Sequence, residues 1–69
     1  MTHHFHPGQR IEIINEAGDT LDRGKVTATK LHRFPGTQFA PLWEADIRVD
    51  GTTWNTRLPF ARLRAEAAA

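Results

Sequence analysis

The sequence predicts a small all-β domain, a single five-stranded barrel, and three observations carry that reading. Turn signals punctuate the 69 residues at Pro7-Gly8, Gly18-Asp19, Gly24, Pro35-Gly36, Pro41, Asp50-Gly51 and Pro59. Short segments between turns at this spacing are the pattern of a sandwich or barrel. Several of those segments alternate apolar and polar residues with period 2, as strands with one buried face do. Finally, a two-residue turn placed at Asp50-Gly51 sends nearly every flanking apolar residue to one face and the charges to the other.

The elements follow in chain order. Pro7-Gly8 is read as a turn before a strand at Arg10–Ile14, with Ile11 and Ile13 facing inward and Arg10 and Glu12 outward. A wide loop is expected over Asn15–Arg23, then a second strand from Gly24 to His32. In it Val26 and Ala28 point inward, and Lys25, Thr27 and Thr29 outward. Its end, Lys30-Leu31-His32, breaks the alternation, which predicts a bulge or bend that turns Leu31 inward. A long loop, Arg33–Pro41, leads to the third strand.

Asp-Gly suits a type I′ hairpin turn, which sets Val49 opposite Thr52, Ile47 opposite Trp54, Ala45 opposite Thr56 and Trp43 opposite Leu58. The expected core is then Trp43, Ala45, Ile47, Val49, Trp54 and Leu58. On the outer face Glu44 meets Arg57, Asp46 meets Asn55 and Arg48 meets Thr53. Pro59-Phe60-Ala61 is read as one turn of 3-10 helix before a short closing strand around Arg62-Leu63-Arg64. The domain is expected over residues 7–64, with a flexible segment at 1–6 and a frayed tail at 65–69.

This order of elements resembles that of SH3-like small barrels. The resemblance runs from Pro7 to Arg64 and is carried by Pro7–Ile13, by Gly24-Lys25-Val26, by Trp43–Val49 and by Leu58-Pro59-Phe60-Ala61-Arg62-Leu63. It implies a fold whose members bind peptides, ribosomal RNA, DNA or one another, and the fold alone does not choose among these. The stretch from Trp43 to Leu63 is also similar to the C-terminal half of the plasmid-borne, trimethoprim-resistant dihydrofolate reductases. Their pore motif, Val-Gln-Ile-Tyr before the proline, is replaced here by Asn55-Thr56-Arg57-Leu58, so their activity is not expected.

Composition narrows the function classes. There is no cysteine, which removes a disulfide framework and any thiolate metal site. No apolar run is long enough to span a membrane, and the N-terminus lacks the pattern of a signal peptide, so a cytoplasmic protein is expected. Nine basic residues against eight acidic ones leave a formal charge of +1 and a pI of 8.4, below the usual range of nucleic-acid binders. Serine is absent along with cysteine, and the threonines have no His/Asp partners at a meaningful spacing. Neither a catalytic role nor a cofactor is expected. His3, His4 and His6 lack a neighbouring acidic ligand, so adventitious metal capture outranks a native site.

The stretch that stands out is Arg33-Phe34-Pro35-Gly36-Thr37-Gln38-Phe39-Ala40-Pro41. Two phenylalanines and two prolines make this connection more apolar than a solvated loop requires. One ring folding back to close the barrel end would satisfy a small core, and the other is then free to meet a partner. Lys25, Lys30 and Arg33 lie near enough in sequence to add a modest basic patch. The expected partner-binding residues are therefore Arg33, Phe34, Phe39, Lys30 and Lys25. A protein partner ranks first, as for the small modules with which phages and mobile elements modify host proteins. Nucleic acid ranks second, through stacking and phosphate contacts. Open strand edges leave room for self-association beneath both.

Overall fold

The computed structural model describes residues 4–67. The chain forms β1 (Arg10–Ile14), β2 (Thr20–His32), β3 (Leu42–Val49), β4 (Asn55–Pro59), a 3-10 turn (Phe60–Arg62) and β5 (Leu63–Ala65). The strands make one antiparallel sheet in the order β4-β3-β2-β1-β5. Its hydrogen-bonded ladder is open, with β4 and β5 as the two edges. Among the described residues no helix is long and apolar enough to cross a membrane.

A single sheet buries its inner face only by curling on itself, and the core shows that it does. Ile11 of β1, Val26 of β2, Ala45 and Ile47 of β3, and Leu63 of β5 form one buried cluster with Phe5. Leu58, from the opposite edge strand, packs against the same cluster. Phe5 comes from the stretch expected to precede the domain, and it meets Phe60 edge-to-face at 4.9 Å between ring centroids. At the other end the pairing runs past Arg64. Ala65 belongs to β5, and the Glu66 amide donates to the Arg10 carbonyl. Of the segments expected to be flexible, residues 1–3 and 68–69 lie outside the described part.

β2 begins at Thr20, four residues before the expected start at Gly24. The wide loop contracts to Asn15–Asp19, closed by the Asn15 and Gly18 amides and by the Asn15 side chain, which accepts from the Asp19 amide at 2.9 Å. Gly24 is therefore mid-strand and not a strand start. A Cβ there would stand 2.5 Å from the Arg48 carbonyl oxygen and 2.8 Å from Ile47 Cγ2. β2 crosses β3 so closely that only glycine fits.

The expected bulge lies upstream, at Thr27, between the Val26–Ile47 and Ala28–Asp46 pairs. That extra residue switches the faces from there on. Ala28 becomes exposed instead of inward, Thr29 pairs with Ala45, and Leu31 pairs with Trp43 on the inner side.

The β3–β4 connection departs furthest from expectation. Ala45 faces Leu58 and Ile47 faces Thr56, a shift of two residues from the tight hairpin. Only glycines have positive φ among the described residues, and Gly51 has φ 80°, so a type I′ turn, which needs two positive φ values, is excluded. The Thr52 amide closes a four-residue turn on the Val49 carbonyl at 3.1 Å, with glycine at its third position as in type II. Trp54 consequently leaves the hairpin and stands 66% exposed, not in the core. Trp43 keeps its inner-face position but is 38% exposed, stacked on Phe60. Outside, Arg57 pairs with Asp46 and Arg48 with Asn55.

Candidate functional site

β2 runs for 13 residues, about 43 Å at roughly 3.3 Å per residue, close to the 42 Å long axis of the molecule. β1 pairs with it only as far as Lys25, and β4 pairs with β3 only from Glu44 onward. The distal part of the β2–β3 hairpin thus overhangs the rest of the sheet. It carries the loop of residues 33–41 at its tip.

Local chemistry shapes that tip. Phe34-Pro35-Gly36-Thr37 forms a turn in which the Thr37 amide donates to the Phe34 carbonyl at 3.3 Å and Gly36 takes φ 75°. Proline sets the second position of such a turn and glycine relieves the positive φ at the third. The Thr37 hydroxyl also donates to the Phe34 carbonyl, at 2.7 Å, and accepts from the Phe39 amide at 3.3 Å. These bonds bring the two phenylalanines together, 6.3 Å between centroids and 73° between planes, an edge-to-face pair.

The rings are held against each other rather than in the core. Phe34 is 41% exposed and Phe39 is 70% exposed. Neither closes the end of the sheet, a role taken instead by Phe5 and Phe60. Leu42 and Trp43, at the first positions of β3, add exposed apolar area next to the loop, Leu42 on the outer face of the sheet and Trp43 on the inner.

Of the expected basic residues, Arg33 borders this tip and Lys30 stands on the outer face three residues earlier. Lys25 does not join them. It lies eight residues from Arg33 along an extended strand, about 26 Å at roughly 3.3 Å per residue. There it sits between Arg10 and Arg48 in one cross-strand row. Among the described residues Lys25, Lys30 and Arg33 form no ion pair. Glu44, the cross-strand neighbour of Lys30, instead lies against the imidazole of His32.

Sequence reasoning had placed Trp43 in the core and passed over Leu42. The signal for both was their position directly after an apolar loop, at a strand start that no fourth strand covers. Elsewhere several charged groups pair across the sheet. Arg10 holds Asp50 and Glu66, while Arg23 and Arg64 hold Glu12. The Arg10 guanidinium keeps the Asp50 carboxyl below its usual range. An apolar cleft of about 350 Å³ lies between Ile13, Ile14, Leu21, Leu58, Pro59 and Arg62.

Comparison with protein-family models, with curated proteins and with solved structures finds no match to this chain.

Proposed function

We propose that this chain is a non-enzymatic, cytoplasmic binding module of the SH3-like kind that captures a protein partner through the tip of the β2–β3 hairpin. The observation that carries this reading is the Phe34–Phe39 pair, two solvent-exposed aromatic rings fixed by a hydrogen-bonded turn. Aromatic side chains pre-positioned on a rigid turn lose little entropy on binding and bury a large apolar area. Leu42 on the outer face and Trp43 on the inner face add exposed apolar area beside the pair, and Arg33 and Lys30 supply positive charge there. The strand order and the 3-10 turn before β5 support the SH3-like assignment.

The test is capture from the native host's lysate on the immobilised chain, in nuclease-treated and untreated halves, with Phe34→Ala and Phe39→Ala alongside. The expected result is a protein partner retained at full yield after nuclease and lost with Phe39→Ala. Capture indifferent to both substitutions sinks the tip as the site.

A nucleic-acid reading has one observation in its favour. Lys25 and Arg48 are directly opposed in the ladder and neither has an acidic partner among the described residues. Like charges in that relation cost stability, a cost that a phosphate would offset. Under this reading the captured material vanishes with nuclease, and Lys25→Ala lowers the salt slope of binding by about one unit.

A further inference from the structure

We propose that the free edge of β2 over Ala28–His32 is a docking strand for an extended segment of the partner, one that alternates acidic and apolar residues. This rests on the reading of the hairpin tip as a protein-binding site and specifies how the partner lies there.

The edge is open for a definite reason. β1 pairs with β2 up to Lys25, and the turn before β1 reaches one residue further, the Gly8 amide donating to the Val26 carbonyl and the Val26 amide to Gln9. Past the Thr27 bulge, β3 flanks β2 on one side, and no strand flanks it on the other among the described residues. Alternate backbone N–H and C=O groups there face outward, a ready template for another strand. The other edges are poorer templates. β4 ends in Pro59, which has no N–H to give, and β5 is three residues long.

Side chains along this edge select the occupant. Lys30 lies on the outer face and forms no ion pair among the described residues, since Glu44 is engaged by His32. Leu31, on the inner face, pairs with the half-exposed Trp43. Arg33 and Phe34 follow directly. An added strand thus meets a cation on one face and an apolar surface on the other, and acidic–apolar alternation satisfies both. A second copy of the chain fits badly. Two β2 edges laid antiparallel about Lys30 oppose lysine to lysine, while β4 and β5 offer Arg57 and Arg64. The same lysine that guards the edge against self-pairing therefore favours an acidic partner strand.

The experiment is amide hydrogen exchange, followed by NMR on the full chain, with three synthetic probes: the peptide Thr-Val-Glu-Val-Glu-Val-Thr, its counterpart with lysine for glutamate, and a version of the acidic peptide with a central proline. With free acidic peptide at ten times its dissociation constant, alternate amides within Ala28–His32 should exchange about tenfold more slowly. The lysine and proline peptides should leave them unchanged, and Lys30→Glu should reverse the preference between the acidic and basic probes. Unchanged edge exchange with the acidic peptide, or equal protection by the basic one, overturns the docking strand. If partner capture still depends on Phe39 in that event, the tip reading stands without it. Edge protection together with capture indifferent to Phe34 and Phe39 supports the docking strand and removes the tip reading alone.

Discussion

At Glu12 the residue scale shows what an alternating pattern leaves out. Its position on β1 points it away from Ile11, yet the residue is only 8% exposed, because donors from three places converge on its carboxylate. Arg64 Nε donates at 3.0 Å, Thr20 Oγ1 at 3.3 Å and Arg23 Nε at 3.4 Å. The Arg64 hydrogen bond, foremost among them, holds the Glu12 carboxyl below its usual 4.5. A carboxyl lowered on folding adds stability at pH values above 4.5 and loses it as pH falls through the depressed value. Glu12→Gln should therefore be less stable than the parent chain at pH 7. That difference should shrink as pH is lowered below 4.5, which urea midpoints at pH 7, 4 and 3 would show. Gly24 makes a steric prediction instead. Gly24→Ala places a methyl against backbone of β3 and should cost about 1–3 kcal/mol in urea unfolding, as overpacking does. No substitution elsewhere is needed to test either claim.

The elements differ in how far local chemistry governs them. The Phe34–Thr37 turn is written in its Pro-Gly pair, and it forms where that pair stands. The Asp50-Gly51 pair is equally strong as a turn signal, and a turn does form there, but of another type and in a longer connection. Asp50 explains the difference. Its amide donates to the Arg23 carbonyl, and its carboxylate takes both Nη groups of Arg10, Nη1 at 2.7 Å. These bonds tie the turn to β2 and β1, partners distant in sequence, and leave Thr52–Trp54 outside the ladder. Because Gly51 sits at φ 80°, Gly51→Ala should destabilise the domain by about 1–2 kcal/mol, the cost of that conformation for a residue with a Cβ. A urea midpoint unchanged by Gly51→Ala would contradict the turn geometry.

For the whole molecule, the radius of gyration of 12.6 Å exceeds the roughly 11 Å expected of a compact chain this long. The overhanging hairpin, whose strand β2 is about as long as the 42 Å long axis, divides the chain into a packed part and a presented part. In the packed part, Ile47→Ala removes a fully buried side chain at the centre of the core and should cost about 2–5 kcal/mol. In the presented part, Phe39→Ala should change stability by no more than about 0.5 kcal/mol, since its ring meets solvent and one other exposed ring. Thermal unfolding of the two variants side by side separates these roles. A large loss of stability with Phe39→Ala would mean that the tip belongs to the core.

By itself the sequence determined that the chain is all-β, where most of its segments lie, that a 3-10 turn precedes the last strand (at Phe60–Arg62, one residue beyond the expected Pro59–Ala61), and that the loop around Phe34 and Phe39 is unusually apolar. These are local properties: period-2 alternation and turn chemistry act between residues a few positions apart. Even the two-residue error in the β3–β4 register left Ala45 and Ile47 facing inward, because an even shift preserves a period of 2. Only the tertiary structure decided the bulge at Thr27, the burial of Phe5 and Glu12, the exposure of Trp54, and the separation of Lys25 from the hairpin tip. Each depends on which strand lies alongside and how closely. Steric room, open hydrogen bonds and charge partners are supplied by residues far away in the chain, so no pattern within one segment encodes them.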